Sequence, residues 1–237
     1  MAMRQRWARR LAWVLIVAAG IPFLALEVFY QYQLAQLPAL PSPASGTTVP
    51  PAIAQAVSAG VGQGAELNVR PLWPWDLAMN WWRTRYHRSP DVGLAFANVV
   101  AKEWLRERGG APQPTAWCEL ALAVWLTRHF SAEQLMGLWA GAVTLPNAGT
   151  GLEEVSLYYF GKPAAELRRE EAALLVGSAF SSLQFDPYCK PARARERRDA
   201  VLRSMERAGV MSSIEARDAR AQPVRLAPGS AEPSSCP

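Results

Sequence analysis

The sequence predicts a mainly α-helical protein in which one apolar N-terminal helix precedes a single domain. Three observations lead there. The segments between residues 91 and 209 read as successive helices, and no strand-like alternation persists. Helix boundaries are marked in the sequence: Ser131-x-x-Gln134 is a capping-box signature, and Gly209 follows an amphipathic, Arg-rich stretch. An apolar run from Leu11 to Leu26 follows a start that carries Arg4, Arg6, Arg9 and Arg10.

That run is 16 residues long, against the roughly 20 that span a bilayer comfortably. Val28, Phe29 and Tyr30 extend it, and Glu27 is near enough to the far interface to reach water. The basic start and the aromatic residues near both ends (Trp7, Trp13, Tyr30, Tyr32) predict a cytoplasmic N-terminus with the rest of the chain outside. The competing reading is a cleaved signal peptide, but Leu26-Glu27-Val28-Phe29-Tyr30 offers no small-x-small cleavage site. The expected organisation is a cytoplasmic basic tail over 1–10, a transmembrane anchor over 11–30 and a Pro-rich linker over 31–51. A domain over 52–210 and a disordered tail over 211–237 follow. Five prolines between Pro38 and Pro51 make the linker, expected to lift the domain off the membrane.

Within the domain, Ala52–Ala59 predicts a short helix that Gly60 to Gly64 break. Trp73, Trp75, Trp81 and Trp82 read as core, with a membrane-interface patch as the other reading. Asp91–Arg106 predicts a helix closed by Gly109-Gly110, and Thr115–Phe130 a long apolar helix with one acid, Glu119. A helix after Ser131, a loop over Pro146–Gly151 and helices over Leu152–Phe160, Pro163–Phe180 and Arg193–Ala208 complete the series.

Composition narrows the function classes. Half the residues are hydrophobic and 19% are charged, which excludes a chain disordered throughout. The net charge of 25 − 20 = +5 fits a surface facing anionic lipid, pyrophosphate or nucleic acid without choosing among them. Three dispersed cysteines (Cys118, Cys189, Cys236) and two histidines (His87, His129) exclude a structural zinc site or a dense disulfide framework. No cofactor is evident in the residues, and Cys236 has no evident partner. The basic run Arg83-Thr84-Arg85-Tyr86-His87-Arg88 suits anionic headgroups or a lipid pyrophosphate, with a solvated loop as the plainer reading. His129 beside Arg128 at a helix C-terminus reads as structural.

Four ordered blocks then carry a family resemblance. They are Ser131-Ala132-Glu133-Gln134-Leu135-Met136-Gly137-Leu138-Trp139-Ala140-Gly141, Gly151-Leu152-Glu153-Glu154-Val155-Ser156-Leu157-Tyr158-Tyr159-Phe160-Gly161-Lys162 and Leu167-x-x-x-Glu171-Ala172-Ala173-Leu174-Leu175. The fourth comprises Asp186-Pro187, Pro191, Arg197-Arg198, Val201-Leu202, Met205 and Gly209. Together they resemble the family 51 transglycosylases, the peptidoglycan glycosyltransferases, in their monofunctional form. The resemblance implies a lysozyme-like helical domain with a small membrane-proximal lobe. It also implies polymerisation of lipid II: one carboxylate acts as base on the acceptor hydroxyl, and a second carboxylate with cations, often with a divalent metal, assists the leaving pyrophosphate.

The same resemblance locates what has changed. Where the family carries a Glu-Asp pair after an A-V-x-A helix, Ala56-Val57-Ser58-Ala59 is followed by Gly60-Val61, neither able to take a proton. Counting back from Trp75-Asp76, which matches the end of the family's H-x-G-x-D, leaves Glu66 as the only carboxylate able to stand in. The plainer reading of Glu66 is a loop acid. The donor-site block becomes Val92-Gly93-Leu94-Ala95-Phe96-Ala97-Asn98-Val99-Val100-Ala101-Lys102, in which Asn98 and Lys102 alone keep polar reach. The family's R-K-x-x-E becomes Thr115-Ala116-Trp117-Cys118-Glu119, so the acid stays and both cations go. The resemblance therefore implies Glu119 and Glu66 as candidate catalytic acids, and Lys102 and Asn98, with Arg83 and Arg85, as candidate ligand-binding residues. The expected ligands are lipid II or a glycan strand at the cytoplasmic membrane, with other cell-wall synthesis proteins as possible partners. Activity lost or much reduced is the first reading; an active divergent enzyme and a non-catalytic structural membrane protein are the alternatives.

Overall fold

A computed structural model describes residues 2–42, 48–62, 64–85, 91–108, 115–145, 148–180 and 182–227. Among these the chain is helical, and its one β-type contact is an isolated antiparallel bridge between Thr144 and Thr150. The helices are α1 (Ala2–Ala35), α2 (Pro51–Gly60), α3 (Pro74–Arg85), α4 (Val92–Glu107), α5 (Ala116–His129) and α6 (Ala132–Ala142). After them come α7 (Leu152–Phe160), α8 (Arg169–Ala179), α9 (Ser182–Phe185), α10 (Pro191–Arg207) and α11 (Ser213–Ala221).

Two helix groups share one core. In the first, α4 packs along α5 and against α6; in the second, α2, α8 and α10 pack on one another. Caps fix where several helices begin. Asp91 accepts from the Leu94 amide at 3.0 Å and starts α4. Thr115 caps α5, and Ser131 with Gln134 closes the expected capping box of α6. Gly161 ends α7 in the left-handed region at φ 68°, which glycine adopts without strain.

The structure differs from the sequence expectation in four places. The expected helix over Pro163–Phe180 is a short 3₁₀ turn (Ala164–Glu166) followed by α8. Between them Leu167 and Arg168 are extended, so that Arg168 presents its amide to Glu171 at 2.8 Å. Part of the expected disordered tail, residues 213–221, forms α11, because Ala216 and Ala219 bury against the body and Ser212 and Glu215 make a capping box.

The other two differences concern the membrane-proximal end. The domain is not held away from α1: Tyr30, Gln33 and Leu34 are buried, and the last turns of α1 pack on α3 and α5. The tryptophan cluster is not core. Trp73, Trp75 and Trp82 are all exposed, and the Trp81 side chain lies outside the described residues. The rings instead face α1, with Trp75 edge-on to Phe23 at 5.8 Å and stacked on Trp73 at 5.1 Å. Of the expected anchor, the side chains of residues 11, 12 and 14–19 lie outside the described residues, as do those of the basic tail over 1–10. Among the described residues, no helix is long and apolar enough to cross a membrane.

Candidate functional site

The loop from α2 to α3 and the α4–α5 pair carry the residues singled out by sequence. Gly60 is the last residue of α2, and a side chain there would meet an apolar wall. A Cβ would lie 3.4 Å from the Phe180 ring, 3.7 Å from Val176 and 3.9 Å from Val201. A carboxylate directed that way would lose water with no partner in view. Glu66 is exposed in the following loop, and among the described residues it makes no hydrogen bond or ion pair.

Nearby positions aligned with the family pattern by sequence have structural tasks. Leu72, where the pattern has His, is 1% exposed, and its amide donates to the Thr127 hydroxyl at 3.2 Å. Asp76 accepts from the Trp73 amide at 2.8 Å and so closes the first turn of α3. Gly93 is held to glycine by proximity, since a Cβ would come within 3.1 Å of the Asn68 carbonyl oxygen and 3.2 Å of the Val69 Cα. Arg70 pairs with Asp91 at 2.7 Å, while the Asp91 amide donates to Asn80 at 2.8 Å. Loop, α3 and α4 are thereby tied at one point. Asp91 is readable in the sequence as a helix start; its long-range partners Arg70 and Asn80 are not.

On α4, Asn98 is half-buried and Lys102 exposed one turn later. The neighbouring Glu103 turns inward to pair with Arg106. Burial pushes the Glu103 carboxyl up, against the pull of Arg106 and Lys102. Glu119 stands half-buried in the first turn of α5, a favourable place for an acid. Helix pairing sets α4 beside α5 and so brings Asn98, Lys102 and Glu119 onto neighbouring elements. No hydrogen bond or ion pair joins these three among the described residues. Arg85 ends α3 exposed; the Arg83 side chain and all of 86–90 lie outside the described residues. No three His, Cys, Asp or Glu side chains converge as metal ligands among the described residues.

The C-terminal blocks are densely cross-linked. Glu171 accepts from Lys162 at 2.7 Å and from the Arg168 guanidinium at 3.1 Å, besides the Arg168 amide. Burial pushes its pKa up, but hydrogen bonds from Lys162 and from Arg168 outweigh it and hold the carboxyl below the usual glutamate value. The buried Tyr159 hydroxyl donates to Asp186 at 3.1 Å, and burial followed by the Asp186 charge raises its pKa. Arg198, 1% exposed, donates to the carbonyls of Gln222 at 2.8 Å and Arg220 at 2.9 Å and pairs with Asp199. Cys189 is disulfide-bonded, Cys118 is a buried free thiol, and Cys236 lies outside the described residues.

Residues 112–206 match the family model described as Transglycosylase. Penicillin-binding protein 1A of Aquifex aeolicus is 31% identical over 108 residues, covering 46% of this chain and 15% of that protein. Penicillin-binding protein 1B of Escherichia coli is 34% identical over 92 residues, covering 37% of this chain and 11% of that protein. Penicillin-binding protein 1B of Vibrio cholerae is 31% identical over 117 residues, covering 46% and 15%. The chain thus spans only about 15% of the length of such relatives. The matched stretch holds α5, α6, α7, α8 and most of α10, with the Lys162–Glu171, Tyr159–Asp186 and Arg198 cross-links, and this identifies it as a transglycosylase-family segment.

Proposed function

We propose that this chain is a membrane-anchored, transglycosylase-like protein of cell-wall biogenesis that binds lipid II or a glycan strand with little or no glycosyltransferase activity. The observation that carries the reading is the surroundings of Gly60. The end of α2, where the family pattern calls for a base, faces Phe180, Val176 and Val201, while the one substitute acid, Glu66, stands exposed in a loop. Glycosyl transfer needs a carboxylate held against the attacking hydroxyl, and a solvated loop acid is not so held. Leu94 and Ala95, and Thr115 and Ala116, replace the hydroxyls and cations that would steady a leaving pyrophosphate.

The anchor reading is supported by the Arg-rich start, the apolar run from Leu11 to Leu26 and the continuous helix α1 that contains it. It places the protein in the bacterial inner membrane as a single-pass protein with its domain outside the cytoplasm. A disulfide at Cys189 suits that oxidising side. The relatives bear the names of penicillin-binding proteins, which makes cell-wall synthesis proteins the partners to test. A second reading, an active divergent enzyme, draws on the survival of Glu119 in the first turn of α5.

Equilibrium binding of labelled lipid II to the detergent-solubilised full chain tests the ligand. Lys102 would pair with the pyrophosphate, so affinity falls with added salt, since exposed charges are screened over about 10 Å at 0.1 M. Lys102→Ala weakens binding several-fold, whereas Arg217→Ala, at an exposed site on α11, does not. Absence of binding, or binding untouched by salt and by Lys102→Ala, would leave a structural membrane protein on a borrowed scaffold.

A further inference from the structure

We propose that the end of α1, with α3 and α5, forms a binding site for an anionic phospholipid of the surrounding bilayer, separate from the aligned cleft. A cavity of about 400 Å³ opens between these helices, within the size range of small-molecule sites. Its walls are apolar: Leu26 and Phe29 from α1, Leu77 from α3, and Trp117 and Leu120 from α5. Trp117 is 59% exposed at the rim and meets Phe29 edge-on at 5.8 Å. Apolar walls of this kind suit an acyl chain.

The charged and polar groups beside the cavity include Tyr30, Arg128 and the Glu27 carboxylate. Tyr30, which also lines the cavity, is 4% exposed, yet its buried hydroxyl has no hydrogen-bond partner at normal distance and geometry. A buried hydroxyl without a partner is costly, and a ligand oxygen would satisfy it. Beside it stands Arg128, whose charge and guanidinium N–H groups act on that hydroxyl, with the Glu27 carboxylate acting in the opposite sense. The Arg128 guanidinium lies 4.0 Å from the Trp73 ring centroid and 5.8 Å from that of Tyr30. Among the described residues Arg128 has no carboxylate partner. A cation held over two rings next to an orphan hydroxyl matches a phosphodiester.

Depth agrees with this assignment. Leu26 lies one turn, about 6 Å, from Tyr30 on the side of the apolar run. A lipid with its phosphate at Tyr30 and Arg128 therefore runs its chain along α1 toward the bilayer interior. The site is also distinct from the one aligned with the family. Trp117, Leu120 and Ala121 share one face of α5, and Glu119 points about 150° away from it at 3.6 residues per turn. This assignment rests on reading α1 as an anchor.

Native mass spectrometry of the full chain from detergent tests it, with phosphatidylglycerol and phosphatidylcholine as probes. The wild type retains phosphatidylglycerol in preference to phosphatidylcholine. Arg128→Gln lowers that retention about tenfold, and Arg217→Ala leaves it unchanged. Tyr30→Phe lowers it a few-fold while leaving the melting temperature unchanged or raised, because the hydroxyl it removes makes no hydrogen bond of normal distance and geometry in the free protein. Equal retention of both lipids, or retention indifferent to Arg128→Gln and Tyr30→Phe, overturns the site. Displacement of phosphatidylglycerol by an equimolar amount of lipid II in an Arg128-dependent way overturns the choice of a bilayer lipid. Because binding is read in detergent, a topology experiment that placed the domain in the cytoplasm would defeat the anchor without altering this result.

Discussion

Glu171 shows how one family-matched residue is tied into the scaffold. Its carboxylate gathers Lys162, the Arg168 guanidinium and the Arg168 amide at the start of α8. Its folded-state pKa is depressed, so the stability it contributes is present above the unfolded value, about 4.3, and is lost as pH falls through the folded one. Wild type and Glu171→Gln should therefore differ in urea stability at pH 7 and converge as pH is lowered below about 4.3. A constant difference across that range would contradict the assignment. Arg198 is the stronger case, because its fully buried guanidinium holds two carbonyls beyond the end of α10. Arg198→Met should cost about 2–4 kcal/mol by leaving those carbonyls and Asp199 short of donors, and chemical denaturation measures it. The motif blocks made both residues legible as family positions. Their partners were not legible, since Gln222 and Arg220 sit in a stretch whose polarity and prolines read as a frayed tail.

At the scale of elements, the sequence reading succeeded where local chemistry dictates structure. The capping box at Ser131, the Asp91 start of α4 and the stop at Gly209 (φ 72°) are properties of a few adjacent residues. It missed α3, because Pro74 and four tryptophans disguise a helix whose first turn is closed by Asp76. It also missed α11, which is short and polar and gains its stability by docking. Nor could it foresee that Trp75 meets α1, which is a tertiary fact about Phe23. Close approach of the 68–69 backbone to α4 yields a sharp expectation. Gly93→Ala should destabilise by about 1–3 kcal/mol, because the neighbour is backbone and cannot swing aside. Thermal melts of the variant would show it, and an unchanged midpoint would mean that the loop is free to move.

For the whole molecule, the family likeness covers one stretch of the chain. The stretch over 112–206 matches the transglycosylases and holds the buried cross-links, while the proposal of lost activity rests on α2, the following loop and α4, outside that match. A fold alone cannot establish activity, so the claim stands on those side chains. Topology is separately testable. A C-terminal reporter active only outside the cytoplasm should be on, and the mature protein should retain residues before Leu26; an N-terminus beginning near Glu27 would indicate cleavage instead. The most direct measurement is turnover of lipid II by the purified full chain, with and without a divalent metal. The account predicts no glycan polymer under either condition. Polymer formed by the wild type and abolished by Glu119→Gln would contradict it and make this chain an active glycosyltransferase.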